Sequence, residues 1–292
     1  MTDSGGNRTF AILGAGIMGR ALARLFAHGG WQVSLIDPNP EALAHNPDHP
    51  HIRHCTRLGN ATEAAAIIEA VPENLEIKKQ VIAGLEHVLP PETPILSNTS
   101  GLTLAALTAD MAHPGRFLIT HFFNPADVIP AVEILPHETT PDTLTRQVCD
   151  WLTELGKFPA LLTKEVPGFV ANRIQHAIMR EALSLIEQGV VDAAGLDDII
   201  RWSIGIRLAL SGPMKQRDLN GLDTHLAIAD YLYPDLAAQD SPSKLLRDKV
   251  EQGDLGRKSG RGFYDWTNGD NTAPTDAQLA RIIALSREPG EQ

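Results

Sequence analysis

The sequence predicts an α/β protein with a first half of alternating strands and helices and a second half of helices alone. In the first half, short apolar runs alternate with segments of helical periodicity, the pattern of a parallel sheet with crossover helices. From Val166 onward, apolar residues recur at helical spacing only. The boundary falls near Lys164 and separates residues 1–163 from residues 164–292.

Composition narrows the class of protein. A chain of 292 residues with 43% hydrophobic residues can bury one or two sizeable cores. The formal net charge of −11 argues against nucleic acid or an anionic membrane as the main partner. Only two cysteines occur, and no apolar run approaches the roughly 20 residues of a membrane span. These features predict a cytoplasmic protein with a small-molecule partner.

The chain begins with a strand, a glycine-rich turn and a helix. The apolar run Thr9–Leu13 leads into GAGIMG at residues 14–19, which is followed by a helical pattern that stops at Gly29 and Gly30. A second strand, Trp31–Ile36, ends at Asp37, 18 residues beyond Gly19. Strand, turn, helix, strand and acid occur in the order of a Rossmann-type dinucleotide site.

The residue types of this segment suit a dinucleotide. The first glycine allows a tight turn, the second lets the backbone approach a pyrophosphate, and the third lets helix and strand pack closely. Asp37 can accept hydrogen bonds from the adenosine ribose, and it is followed by Pro38, Asn39 and Pro40 instead of an arginine. The pattern favours NAD over NADP, although a lone GxGxxG could also be a simple loop-closing turn.

Residues 38–66 are rich in proline and histidine. Only a short helix near Glu41–His45 fits between the prolines, and the rest is expected to be a solvated loop. Four histidines could suggest a metal cluster, but their spacing matches no common template and no metal is predicted. They are His45, His49, His51 and His54.

Further strands and helices follow up to residue 109. Ile67–Val71 is predicted as a buried strand, and an amphipathic helix ends before Pro90 and Pro91. A strand beginning at Pro94 leads into the polar turn SNTSG at residues 97–101 and a helix at Leu102–Ala109. Polar residues at this end of a strand lie where α/β sheets bind ligands. Thr99 or Ser100 could equally serve as a helix cap.

A strand, a loop and a second strand are predicted between residues 117 and 135. Phe117–Thr120 and Ala131–Leu135 flank a loop with two prolines, with His121 at the end of the first strand and Glu133 in the second. If these strands are neighbours, Glu133 can orient the imidazole and leave its other nitrogen as a general base. A satisfied histidine beside a buried glutamate is the alternative.

The second half is predicted to be helical. A long amphipathic helix opens at Pro167 and Gly168 and ends at Gly189. Leu196–Trp202 and Thr224–Leu232 are two further helices, and Thr267–Gln292 is expected to be a tail with one weak helix.

Several motifs in register resemble the 3-hydroxyacyl-CoA dehydrogenases and their lambda-crystallin and gulonate dehydrogenase-like relatives. The likeness spans residues 9–266. Its elements are GAGIMG, EAVPENLEIKK, SNTSG, HFFNP with Glu133 downstream, KEVPGFVANRI and KSGRGFYDW. The resemblance implies an NAD-dependent enzyme that pairs two subunits through its helical half.

The resemblance also implies roles for individual residues. His121 resembles the general base, Glu133 its orienting carboxylate, and Ser100 and Asn172 the groups that contact the substrate. The dinucleotide-binding positions are matched by Gly14, Gly16, Ile17, Met18, Gly19 and Asp37, and the nicotinamide end by Glu73, Lys78 and Asn98.

Two departures from the family bear on the substrate. Residues 38–66 leave no room for the helical hairpin with which acyl-CoA members hold the CoA nucleotide. The segment at 203–220 resembles the gulonate branch, where Arg207, Lys215 or Arg217 could receive a carboxylate or a phosphate, or remain solvated. The predicted reaction interconverts a 3-hydroxyacyl compound, CoA- or carrier-linked, and its 3-oxo form. The alternatives are a CoA-free 3-hydroxy acid dehydrogenase and a non-catalytic NAD(H)-binding structural protein.

Overall fold

A computed structural model describes residues 8–45, 49–267 and 274–286. The chain divides into two compact units, which meet between Val170 and Ala171.

The first unit is built on a single eight-stranded sheet. Its strands are β1 Thr9–Leu13, β2 Gln32–Ile36, β3 Ile52–Cys55, β4 Ala66–Glu69, β5 Ile95–Ser97, β6 Phe117–Phe122, β7 Ala131–Pro136 and β8 Phe158–Leu161. The spatial order is β3-β2-β1-β4-β5-β6-β7-β8, and only the β6–β7 pair is antiparallel. The α/β class predicted from the sequence is confirmed. The carboxyl ends of β1, β2, β4, β5 and β6 meet at one edge, where such sheets bind ligands.

Helices cover both faces of the sheet. They are α1 Ile17–His28, α2 Pro40–Ala44, α3 Leu75–Val88, α4 Leu104–Thr108 and α5 Asp142–Glu154. Alternate residues of β1 enter two different cores, because successive side chains of a strand point to opposite faces. Phe10 and Ile12 pack in the core that contains α1 and α5, whereas Ala11 and Leu13 pack in the core that contains α3 and α4.

The structure corrects the expectation of a solvated loop at residues 38–66. The short helix is present as α2, but Ile52–Cys55 adds a parallel edge strand to β2, with Val33 opposite Ile52. His54 belongs to this strand and points away from the core. Among the described residues, no group of three or more histidine, cysteine or acidic side chains could hold a metal ion.

The second unit consists of helices. They are α6 Ala171–Glu187, α7 Ala193–Ile200, α8 Ile206–Leu210, α9 Pro213–Asn220, α10 Leu222–Leu232, α11 Lys244–Glu251 and α12 Asp276–Ser286, with a π-helical turn at Arg201–Gly205. Within the described part of this unit, only Leu183 and Ser184 are buried. Of the predicted tail, residues 268–273 and 287–292 lie outside the described residues, and α12 is its one described helix.

Within the described part of the chain, no helix is long and apolar enough to cross a membrane.

Candidate active site

The turn at residues 14–19 requires glycine at two positions. Gly14 has a φ of +99°, and a Cβ atom there would lie 2.6 Å from the Ala70 carbonyl oxygen. A Cβ atom on Gly19 would lie 1.7 Å from the Gly14 carbonyl oxygen, so any side chain there would force the turn open. Around Gly16, by contrast, no atom would lie within 4 Å of an added Cβ. This backbone is tightly packed on the sheet side and open where a pyrophosphate would lie.

The amino terminus of α1 is suited to a phosphate group. Gly16 precedes the helix, and no described side chain caps it. Free N–H groups and the helix dipole favour an anion at such an end. Ile17 is 67% exposed at the first helical position, and Met18 is half-buried beside the core.

Asp37 lies beyond the end of β2 and bonds to the glycine turn. Its Oδ2 atom accepts a hydrogen bond of 2.8 Å from the Ala15 backbone N–H, and Oδ1 accepts one of 2.9 Å from Asn39 N–H. Each carboxylate oxygen has two lone pairs, so acceptor capacity is left for ribose hydroxyls. The turn, the helix terminus and this carboxylate fit a dinucleotide.

His121 and Glu133 form a buried pair across two antiparallel strands. They are directly opposite in the β6–β7 register, and the distance from His121 Nδ1 to Glu133 Oε2 is 2.7 Å. Each residue is 5% exposed. The bond fixes Nδ1 as the protonated nitrogen of the neutral ring and leaves Nε2 as the acceptor. His121 lies one residue before the end of β6, because this strand continues to Phe122 and is longer than the sequence predicted.

Two phenyl rings flank the imidazole of His121. The Phe123 ring centroid is 4.6 Å away, and that of Phe169 is 5.5 Å away. Next along β6, the Phe122 backbone N–H donates a hydrogen bond of 3.0 Å to Asn98 Oδ1. Asn98, which was predicted to line the nicotinamide end, therefore joins the end of β5 to the strand of the base.

Ser100 lies on a turn that is organised by Glu73. The Glu73 Oε1 atom accepts hydrogen bonds from Thr99 Oγ1 at 2.6 Å, Ser100 N–H at 2.9 Å and Gly101 N–H at 3.1 Å, and it lies 3.3 Å from Ser100 Oγ. Burial alone would raise the pKa of Glu73. The hydrogen bond from Thr99, the nearby charge of Lys78 and the bond from Ser100 N–H outweigh this effect, so the pKa is lowered overall. The capping alternative is wrong for Thr99 and Ser100, because Thr103 caps α4.

A buried lysine forms an ion pair with Glu73. Lys78 is 1% exposed, and its Nζ atom lies 2.8 Å from Glu69 Oε2 and 3.4 Å from Glu73 Oε2. Glu69 is also fully buried and accepts a hydrogen bond from the Ser97 hydroxyl. Burial raises the pKa of Glu69, and the charge of Lys78 and the hydrogen bonds offset this effect only in part. Lys78 thus links the end of β4 to the turn that carries Ser100.

The remaining predicted residues belong to the second unit. Asn172 lies half-buried in the first turn of α6. Arg207 is exposed on α8, and its Nε donates to the Ser203 carbonyl at 3.2 Å. Lys215 and Arg217 are exposed on α9.

Four contributors to the site were not predicted. Glu69 had a signal, since this acid lies inside an apolar run, nine residues before a lysine on a helix. Lys157, Glu165 and Phe169 had none that could be read without the fold. Glu165 and Phe169 lie in the segment before α6 and bond or pack onto the first unit, and Lys157 donates to two loop carbonyls between β6 and β7.

Comparison with known proteins identifies the family of the chain. The family model described as 3-hydroxyacyl-CoA dehydrogenase, NAD binding domain, matches residues 9–52 and 49–166, and the model of the C-terminal domain of the same family matches residues 168–266. NAD is therefore the cofactor of this enzyme.

Three relatives illustrate the likeness. The 5-formyl-3-hydroxy-2-methylpyridine 4-carboxylate 5-dehydrogenase of Mesorhizobium japonicum is 31% identical over 96% of this chain and 97% of its own. A crystal structure of an enzyme of this activity, described as an NAD⁺-dependent dismutase, has a TM-score of 0.88 at 30% identity, with 96% of this chain and 97% of the other covered. The (S)-3-hydroxybutyryl-CoA dehydrogenase of Ralstonia eutropha has a TM-score of 0.72 at 29% identity, with coverage of 90% and 100%. The chain belongs to the 3-hydroxyacyl-CoA dehydrogenase family.

Proposed function

We propose that this enzyme interconverts a hydroxyl carbon and a carbonyl carbon, with His121 as the general base and acid. The observation that carries the proposal is the 2.7 Å bond between His121 Nδ1 and Glu133 Oε2. It leaves Nε2 free to take the proton of the substrate hydroxyl. Glu133 then stabilises the imidazolium, and Ser100 and Asn172 contact the substrate oxygen. Bound NAD supplies the hydride acceptor.

The cofactor is held by the residues of the first unit. Gly14, Gly16, Ile17, Met18 and Gly19 receive the pyrophosphate, and Asp37 receives the adenosine ribose. The nicotinamide end is lined by Glu73 and Asn98. Lys78 acts through Glu73, since its ammonium is buried between two carboxylates.

The enzyme does not bind its substrate through the nucleotide part of CoA. Between β2 and β4, the described residues 37–45 and 49–65 form a five-residue helix, a four-residue strand and a short 3₁₀ turn, and these provide no helical hairpin. The net charge of −11 adds no long-range attraction for the CoA phosphates. A thioester substrate is therefore recognised through its acyl group and pantetheine arm, as a CoA ester or on a carrier protein.

A second candidate is a CoA-free carboxylic acid. It is supported by the TM-score of 0.88 over 96% of the chain with an enzyme named for a formyl-pyridine carboxylate, against 0.72 with a 3-hydroxybutyryl-CoA enzyme. Arg207, Lys215 or Arg217 would supply the positive charge for the carboxylate. Of the two candidates we favour this one, because the TM-score is higher at nearly the same sequence identity and coverage.

The deciding experiment follows NADH across a matched substrate series. One 3-oxoacyl group is offered as its CoA thioester, as its pantetheine-type thioester and on a carrier protein, beside free 3-hydroxy acids and aromatic formyl carboxylates. We expect the CoA and pantetheine forms to have equal kcat/KM and a free acid to exceed both. A loss of roughly tenfold on truncation, about 1.4 kcal/mol, would reveal a nucleotide grip and overturn the proposal.

We also propose a cytoplasmic homodimer that joins through the domain at 164–292, with the NAD-binding domain at 1–163. The second unit exposes many large apolar side chains, which favours burial against a second copy. Among them are Ile174, Met179, Trp202, Met214, Leu219, Leu226 and Tyr231. Light scattering should give twice the mass of one chain, and a single-chain mass at micromolar concentration would contradict the proposal.

A further inference from the structure

The segment at residues 165–170 bonds to both sides of the proposed site. The Glu165 carboxylate accepts a hydrogen bond from the Leu104 backbone N–H, in the first turn of the helix that follows Ser100. At the other end, the Val170 backbone N–H donates a bond of 2.9 Å to Glu133 Oε1. We refer to residues 165–170 as the strap.

The strap contains a residue in a costly backbone conformation. Phe169 has a φ of +50°, and it is the only non-glycine residue with a positive φ in the described part of the chain. This left-handed conformation costs an L-residue roughly 1–2 kcal/mol, a cost that glycine avoids. Such residues persist where the surrounding structure holds them, often beside functional groups.

The side chain at this position is tied to the base. Phe169 is 2% exposed and lies in the core that also contains Leu104 and Ile119. Its ring is tilted 44° to the imidazole of His121 at a centroid distance of 5.5 Å. The ring and the backbone at 169 thus act on the two members of the same pair.

The two oxygens of Glu133 have different partners. Oε2 bonds to His121 and Oε1 bonds to Val170 N–H, so rotation of the carboxylate about its last bond would break both contacts. A backbone donor on one oxygen therefore fixes the other against the imidazole.

We propose that Phe169 is a positioning residue for the dyad, with its ring limiting the tilt of His121 and its left-handed backbone aiming Val170 N–H at Glu133. The inference rests on the proposed function, in which His121 is the base. A glycine at position 169 would adopt this backbone conformation at no cost, but it would lack the ring that contacts His121.

The test compares Phe169→Leu with Phe117→Leu, a fully buried phenylalanine of the same core. Each change is made in the wild type and in Glu133→Gln. We expect Phe169→Leu to lower kcat about tenfold, less than the roughly 10²-fold attributed to a misplacement of about 1 Å, with the KM for NAD unchanged. In the Glu133→Gln background the loss should shrink below about threefold, because coupled residues are not additive.

Two outcomes overturn the inference: an equal kcat loss for Phe169→Leu in both backgrounds, or a kcat loss that Phe117→Leu reproduces. Phe169→Met replaces Phe169→Leu in the same comparison if the latter does not fold. His121→Ala separates the two proposals. If it leaves turnover intact, the proposed function fails, whereas a large loss there with no coupling at 169 rejects the positioning role alone.

Discussion

The base and the serine of the site are held in different ways. His121 and Glu133 lie on two adjacent strands, and two phenyl rings flank His121, so the geometry of the pair comes from strand register and apolar packing. Ser100 lies on a turn, and its geometry comes from Glu73, which is supported by the buried Lys78. We call these the base side and the serine side. The difference predicts that variants on the base side lose turnover, while removing the buried lysine of the serine side first costs stability.

The largest effect on turnover is expected on the base side. His121→Ala should lower kcat by roughly 10²–10⁴-fold, the range for a positioned general base. NAD affinity should be retained, because the glycine turn is untouched. Steady-state kinetics and NAD titration check this, with the exposed His113→Ala as a control. Near-normal turnover would revive the non-catalytic alternative.

On the serine side, removal of the buried lysine should first lower the stability of the fold. Lys78→Met leaves the fully buried Glu69 without its counter-charge, which should cost roughly 3–5 kcal/mol of unfolding free energy. Lys79→Met removes a surface pair with Asp110 and should cost much less stability than Lys78→Met.

Urea unfolding measures both lysine variants. Adding Glu69→Met to Lys78→Met should recover part of the stability, because no charge is then left buried. Equal stability of Lys78→Met and Lys79→Met would show that the buried pair does not support the turn.

Glu133→Gln separates charge from geometry on the base side. The two oxygens of Glu133 accept from two donors, so an amide group must face one of those donors with its own NH₂. This clash and the lost counter-charge should lower kcat by roughly 10²-fold. Steady-state kinetics measures this loss, and near-normal turnover of Glu133→Gln would show that the charge of Glu133 is not used.

The smallest effect is expected on stability, at a lysine that contacts the loop between the two strands of the base side. Burial lowers the pKa of Lys157 to about 8, although Asp127 opposes the shift. Its Nζ atom donates to the carbonyls of Ala126 at 2.6 Å and Ile129 at 2.8 Å, in the loop between β6 and β7. Since the unfolded lysine keeps its proton to higher pH, the unfolded state binds more protons between pH 8 and 10.5, and stability rises with pH there.

The free energy of unfolding of the wild type, relative to that of Lys157→Met, should therefore rise by about 2 kcal/mol from pH 7 to 9.5. Urea unfolding at both pH values measures this difference. Lys164→Met, at an exposed position, provides the control. If the stability difference between wild type and Lys157→Met does not change with pH, the ammonium of Lys157 is exposed to solvent and the prediction is wrong.

Much of the first unit could be predicted because its local signals agree with the fold. Thr9–Leu13 is the first strand as predicted, and Asp37 follows the second. The edge strand at Ile52–Cys55 was not predicted because the prolines and histidines that precede it are typical of a loop, and only pairing with β2 makes it a strand. Helix α5 was also not predicted, although Thr145, Val148 and Leu152 are buried at helical spacing.

The site was predictable in part for a similar reason. His121 and Glu133 are close in sequence, and one hairpin brings them together. Val170 and Glu165 reach the site through bonds over 37 and 61 residues, and Phe169 packs on the distant His121, so no local pattern records these contacts. The buried ion pair of Lys78 depends on the packing of α3 against β4, so its burial could not be read from composition.

The antiparallel pairing of β6 and β7 leaves room for protein engineering. Strand register, and not the number of intervening residues, sets His121 opposite Glu133. The loop at 123–130 can therefore change length while the pair keeps its geometry, whereas a slip of one residue would turn Glu133 to the other face of the sheet. Lys157 holds this loop by backbone carbonyls, which every residue type supplies. Loop libraries at Val128, with Phe123 kept against His121, could thus diversify substrate choice while the acid–base chemistry stays constant.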